Sequence, residues 1–285
     1  MQPADRLREE QREAWSAAAA AWQQGAETPQ PIDPVSEYLL TEARIGIGMH
    51  VLDLGSGAGN PAFFIAEKVG ASGSVLGLDL SPAMMEGTSE RARRRGLANA
   101  TFRAIERETE LGVPAASFDA ATARCCLMYP PDPAAALSTL RAAVKPGGRI
   151  AFSTWAGLDR CPSHRLLAEV VREHVTLSAE EARGLALPFT AMPDQEAHRA
   201  ACAAAGLIEA ITHEVDVITE AENAEAFWLS RVSRSGPLRT ALRAHPAATR
   251  DEVGAAFTAR LRDLFGSGPV HFTDLILVTA GTVPS

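Results

Sequence analysis

VLDLGSGAGN, residues 51–60, is the stretch from which the rest of the chain can be read. Val51, Leu52 and Leu54 give the apolar run of a strand covered on both faces. Gly55, Gly57 and Gly59 follow at alternate positions. Residues without Cβ take positive φ and let a ligand lie against bare backbone. Asn60 suits an N-cap, and Pro61 suits a first helical position, where its missing N–H would have no partner. The expected order is strand, glycine loop, helix: a shelf for one small molecule.

Outward from this shelf the chain alternates. Residues 61–69 read as a helix with Phe63, Phe64 and Ile65 available for burial, and 74–80 as a strand carrying Asp79 at its end. Residues 83–95 read as a helix stopped by Gly96; its Arg91, Arg93, Arg94 and Arg95 are expected to form a solvated last turn that complements the helix dipole. Further strands are expected at 100–105, 118–126 and 149–155. Between the last two, Asp132 and Pro133 open a helix over 134–144, and Lys145-Pro146-Gly147-Gly148 stops it.

Upstream, 7–24 is an Ala-rich helix with Trp15 and Trp22 on one face, 28–34 a proline-stiffened connector and 35–43 a short helix. The two tryptophans pack this helix onto the body, line a lid over a pocket, or do both. Downstream the pattern loosens into helices at 163–174, 179–184 and 193–205, a strand at 207–218, and mostly helix over 221–265, broken at Gly236-Pro237 and near His245-Pro246. A last strand is expected at 271–280. This alternation implies right-handed crossovers and a doubly wound, mainly parallel α/β sheet. The expected layout is one domain over 1–285: a helical cap at 1–48, a ligand-binding core at 49–157, segments at 158–193 and 220–268 that cover the ligand edge, and 194–219 with 269–285 completing the sheet.

Composition narrows the function. The chain has 285 residues, 46% of them apolar, enough for a large core. No stretch has the apolar length of a membrane span, and the charged N-terminus (Asp5, Arg6, Arg8, Glu9, Glu10) is unlike a signal peptide. A net charge of −8 repels phosphate backbones, so no nucleic-acid partner is expected. Cys125, Cys126, Cys161 and Cys202 lack paired metal spacing; they read as free thiols of a cytoplasmic protein, and no metal site is expected. Self-association is compatible with the sequence.

Ligands of open α/β sheets sit beyond the carboxyl ends of the strands. Asp79, ending the second strand, is placed to face a ribose, because one carboxylate accepts from two hydroxyls. The loop reads GxGxG, and Asn60 stands where a dinucleotide fingerprint carries its third glycine, which counts against NAD(P). For each residue a plainer role is available: the glycines make the turn, Asp79 caps the next helix, Met84 fills core. Their joint order on the right elements favours the ligand site.

These stretches, VLDLGSGAGNPAFFIAE, GLDLSPAMME, FDAATARCCLMYPPDPAAAL and RAAVKPGGRIAFSTW, resemble class I S-adenosylmethionine-dependent methyltransferases, in particular the small-molecule group typified by ubiquinone and menaquinone biosynthesis. The likeness is dense over 49–155. It implies a seven-stranded sheet with the last strand antiparallel, S-adenosylmethionine as methyl donor and a small organic acceptor. It further implies that Gly55, Ser56, Gly57 and Gly59 line the methionine part of the donor, that Asp53 supports that loop, and that Asp79 holds the ribose. Leu80 and Met84 would sandwich the adenine, Glu106 would meet its amino group, and Arg124 and Cys125 would lie near the sulfonium.

A sulfonium already donates methyl well, so the protein's task is in-line positioning and exclusion of water. A general base is required only for an acceptor protonated at neutral pH. Tyr129, His164, His174 and His213 are the residues of suitable type, with core or surface roles as the alternative for each. Trp22, Tyr38, Trp155 and Trp228 are candidates to wall an apolar acceptor, core packing being the plainer use. The competing functions are a protein of the same fold that binds the donor without transferring methyl, as a pericyclic catalyst or regulatory module, and an NAD(P)-dependent oxidoreductase.

Overall fold

In the computed structural model, which describes residues 3–26, 31–243 and 245–285, the sheet grows from β1 (His50–Leu54). β1 pairs in parallel with β2 (Ser74–Asp79) on one side and β4 (Phe118–Arg124) on the other. β3 (Ala100–Ala104) and β5 (Val144–Trp155) extend the parallel set outward. β7 (Val270–Thr282) then inserts antiparallel between β5 and β6 (Ile208–Ala221). The order is β3-β2-β1-β4-β5-β7-β6, with its switch point between β1 and β4. The seven-stranded, doubly wound sheet with an antiparallel last strand is as expected.

Why β1 is apolar at successive positions follows from the layers. Alternate residues of a strand point to opposite faces. Val51 packs with Val35, Leu39, Ile65, Val69 and Ala151 on one face. Leu52 and Leu54 pack with Leu137, Leu140, Ile150 and Phe152 on the other. The first face is covered by α2 (Pro34–Glu42) and α3 (Ala62–Val69), the second by α5 (Pro133–Ala143) and α8 (Gln195–Ala204). α1 (Pro3–Gly25) lies against α4 (Pro82–Arg94). Beyond β5, α6 (Pro162–His174), α7 (Ala179–Thr190), α9 (Ala224–Arg234), α10 (Gly236–Arg243) and α11 (Ala247–Phe265) follow. Leu167, Val171, Phe227, Leu238, Phe257 and Leu261 from these helices form a separate apolar cluster.

Four local expectations are corrected. Asn60 does not cap α3: its side chain is engaged by Asp33 and Ser36, and the helix starts one residue later, with no side-chain cap. Arg91 is not solvated: it is 3% exposed, donates to the Gln23 carbonyl of α1 and lies over the Phe63 ring. The segment Lys145-Pro146-Gly147-Gly148 already belongs to β5, because Val144 pairs with Phe118 directly after the helix. α7 continues past Gly184 through Pro188, anchored at its start by a Ser178–Glu181 capping box and at its end by burial of Phe189. Of the expected connector, residues 28–30 lie outside the described residues.

Candidate active site

The loop after β1 is tied down by backbone and by one buried carboxylate. Gly55 and Ser56 N–H both donate to the Leu78 carbonyl, at 2.7 and 3.0 Å, and Gly59 N–H donates to Ser56. Asp53 is fully buried and accepts from the hydroxyls of Ser56 and Thr122, the latter at 2.6 Å. Burial pushes the Asp53 carboxyl up to about 6, against the opposing pull of those two hydroxyls. Asp53 therefore braces the loop from below, joining β1, the loop and β4.

The glycines differ in what surrounds them. A Cβ on Gly55, whose φ is +72°, would sit 2.5 Å from Cys126 Sγ, and one on Gly59 would sit 2.6 Å from the Phe63 ring. Gly57 has φ +49°, and a Cβ there would meet nothing nearer than 3.8 Å. The backbone is thus closely packed at Gly55 and Gly59 and open at Gly57, where a ligand's chain can lie against peptide.

Asp79 closes the other side of this opening. Its Oδ2 accepts from Gly57 N–H at 3.0 Å and its Oδ1 from Ser81 N–H at 2.9 Å. A carboxylate can accept about four hydrogen bonds; Gly57 and Ser81 take one on each oxygen and Leu80 N–H also bears on the group, which leaves acceptor capacity for a diol. Burial raises the Asp79 carboxyl, offset by the backbone donors. Thr88 of α4 donates to the Gly57 carbonyl at 2.7 Å, locking loop and helix together.

α1 lies across these groups. Arg12 donates to the carbonyls of Leu80 and Glu106, Ser16 meets the Ser81 hydroxyl, and Gln11 donates to the Tyr129 carbonyl. Arg8 makes a bidentate pair with the buried Glu108. Met84 is 3% exposed and packs with Met85 and Ala19. Glu106 stands apart from the other predicted groups: its side chain is 87% exposed and bridges to Arg12. Arg124 reaches Asp33 at 3.2 Å, and Asp33 also holds Ser36 and Asn60. Burial alone would raise Asp33; the Arg124 guanidinium and the Ser36 and Asn60 side chains bring it below its ordinary value. Cys125, at φ +49°, is held by the Ser153 hydroxyl and carbonyl.

A cavity of about 50 Å³ opens beside the ends of β4 and β5. Tyr129, Trp155, His164 and Phe189 contribute its polar and aromatic wall. The His164 ring lies 4.7 Å from Trp155 and 4.9 Å from Phe189, centroid to centroid. Burial, then the nearby Arg231, holds His164 well below its ordinary value, so it is neutral at pH 7. Burial pushes the Tyr129 phenol up, so it is protonated. Neither group is a ready base. His174 is exposed near the end of α6 and bonds to the Val170 carbonyl, outside this cavity; His213 pairs with Glu42. Of the expected acceptor wall, the structure brings Trp155 to this cavity. Trp22 donates to the Arg234 carbonyl, Tyr38 stacks on His213, and Trp228 packs against Phe257.

Sequence reading missed Asp33, although Asp33-Pro34 carries the same N-cap signal as Asp132-Pro133; both aspartates accept from the backbone three residues on. It also missed Arg231, Ser163 and Asp274, which meet only in the folded chain.

A family model described as "Methyltransferase domain" matches residues 45–214. The chain is 37% identical over 121 residues to aklanonic acid methyltransferase DauC of Streptomyces sp. (strain C5), covering 42% of this chain and 54% of that protein. It is 32% identical over 162 residues to the ubiquinone biosynthesis O-methyltransferase of Acinetobacter baylyi, covering 55% of this chain and 65% of that one. The matched stretches thus span between half and two thirds of these relatives. Its fold is similar to that of the YcgJ protein of Bacillus subtilis, with a TM-score of 0.58, 17% identity, and coverage of 88% of this chain and 98% of that one.

Proposed function

The chain belongs to the methyltransferase-domain family, of the class I S-adenosylmethionine-dependent type, and from that premise we propose that it transfers a methyl group from S-adenosylmethionine to a small organic acceptor. The observation that carries this reading is the pairing of open backbone at Gly57 with the diol-ready carboxylate of Asp79 across it. Residues of this kind fit the donor: the space over the Gly57 Cα admits its amino-acid end, and the Asp79 carboxylate keeps acceptor capacity for the ribose hydroxyls. Leu80 borders the adenine end, with Met84 behind it and α1 over it. Arg124, the last residue of β4, and Cys125 after it would lie near the reacting end. When bound, the donor supplies an electrophilic methyl on a positively charged sulfur.

What the chain itself contributes is positioning and exclusion of water. Effects of this kind lower barriers by about 7–11 kcal/mol. α1 and α7 cover the edge where donor and acceptor meet. A nicotinamide reading is disfavoured because Asn60, at the position of the third dinucleotide glycine, is bound to Asp33 and Ser36. Relatives named for aklanonic acid and for ubiquinone biosynthesis are in keeping with an organic acceptor, while others of similar identity are named for arsenite. The four cysteines are free thiols, which suits the cytoplasm.

The test is a screen of small acceptors with methyl-labelled S-adenosylmethionine. Label in product with matching S-adenosylhomocysteine supports transfer. Donor binding without turnover on any acceptor favours a protein that uses the fold for binding alone.

A further inference from the structure

We infer that the acceptor is a planar compound bearing an oxygen that is already anionic, a carboxylate or acidic enol or phenol, bound in the cavity between Trp155 and Phe189 with that oxygen between His164 and Arg172. This deepens the proposed function and rests on it.

The lining of the cavity is the first ground. Around its aromatic walls it carries one guanidinium, Arg172, and no carboxylate. Arg172 makes no hydrogen bond or ion pair among the described residues, although the chain as a whole is acidic, with a net charge of −8. Arg172 is exposed at the rim of this apolar pocket, and a cation there favours an anion over an amine.

The second ground is the direction of the hydrogen bonds behind His164. Asp274 is fully buried and accepts from the backbone N–H and the hydroxyl of Ser163. The Ser163 hydroxyl, having given its proton to Asp274, accepts from Arg231 Nη2 at 2.7 Å. Arg231 Nη1 lies 3.3 Å from His164 Nε2. A guanidinium only donates, so Nε2 is the acceptor and the proton of the neutral ring sits on Nδ1. Among the described residues Nδ1 has no protein partner. His164 therefore meets an acceptor as a hydrogen-bond donor. To take a proton it would have to become a cation beside Arg231 or reverse the tautomer that Arg231 imposes.

A pocket without a base, with a fixed donor and a cation, fits a nucleophile that arrives deprotonated. In the transfer, a lone pair of that oxygen forms the O–CH₃ bond as the S–CH₃ bond breaks. The bonding pair stays on sulfur, which becomes neutral, and no proton is moved. The cavity of about 50 Å³ is smaller than the roughly 300 Å³ or more usual for small-molecule sites, so admitting a ring system requires the α7 wall carrying Leu185 and Phe189 to shift outward.

The experiment is calorimetric titration of the full chain, loaded with S-adenosylhomocysteine, with 2-naphthoate, 2-naphthamide and 2-naphthylmethylamine. Naphthoate is expected to bind at least tenfold more tightly than the amide or the amine. Arg172→Gln is expected to abolish that preference with thermal unfolding unchanged, and His164→Phe to weaken naphthoate about tenfold, with a lower melting temperature because the buried Arg231 loses its acceptor. Equal or tighter binding of the amine or amide overturns the inference, as does a preference that survives Arg172→Gln. Absence of naphthoate binding to the loaded protein overturns the inference and leaves the methyl-transfer reading standing. Failure of S-adenosylhomocysteine itself to bind removes the reading beneath it and the inference with it.

Discussion

Replacing Asp79 by Ala removes the group on which donor recognition is proposed to turn. Each carboxylate oxygen accepts one backbone N–H, from Gly57 at 3.0 Å and Ser81 at 2.9 Å, and the group keeps acceptor capacity for the ribose hydroxyls. Hydrogen bonds to a charged acceptor are worth about 1.5–3 kcal/mol each. Losing two at the lower figure amounts to about 3 kcal/mol, or roughly a hundredfold in Kd. Burial raises the Asp79 carboxyl, so removing it also relieves a desolvation cost that offsets part of this loss. The expected net effect is therefore at least tenfold. The assay is calorimetric titration of wild type and variant with S-adenosylmethionine at pH 7.5. Circular dichroism of the variant separates lost recognition from lost fold, since Gly57 and Ser81 N–H also lose their acceptor. A Kd within threefold of wild type in a folded variant would refute the role given to this carboxylate.

Gly57→Ala and Gly55→Ala are expected to fail in different ways. The first adds a methyl in open space and weakens donor binding at least tenfold; its left-handed backbone costs about 1–2 kcal/mol. The second drives a Cβ into Cys126 and lowers thermal stability more; paired melting and titration curves read both. Asp53 titrates at about 6 when folded against 3.8 unfolded, so the folded state holds its proton more tightly. Its contribution to stability is thus full below pH 3.8 and lost as pH rises to about 6, a change on the order of 3 kcal/mol. Denaturant melts of wild type against Asp53→Asn from pH 4 to 7 are expected to show a steeper loss of stability in wild type, the difference being the share of Asp53, since the raised Asp79 carboxyl titrates in both. Arg8→Ala leaves the buried Glu108 carboxylate without its bidentate partner and is expected to cost about 3 kcal/mol. Hydrogen exchange across α1 should rise with it; unchanged protection there would contradict the anchoring role.

What was legible in the sequence is the part written locally. The run from Val51 to Leu54, the three alternate glycines, Asp79 at a strand end and the Ser81-Pro82 and Asp132-Pro133 helix starts each act within a few residues of themselves. Those short-range signals set the order of elements and hence the sheet. What was not legible depends on partners far along the chain. Asn60 looks like a cap until Asp33, 27 residues upstream, takes its amide. Arg91 looks like a solvated helix end until α1 covers it. Glu106 occupies a plausible sequence position, yet Arg12 of the same covering helix bridges to it at the surface. The acceptor side was least legible: Asp274 meets Ser163 across 111 residues, and no local pattern announces that the pair fixes a histidine through Arg231.

The most direct measurement is competition between S-adenosyl compounds and NADH for the site at Gly57 and Asp79. Wild-type protein titrated with S-adenosylmethionine is expected to bind at one site per chain, with S-adenosylhomocysteine displacing it and NADH leaving the isotherm unchanged. Binding of NADH with no heat from S-adenosylmethionine would contradict donor binding there.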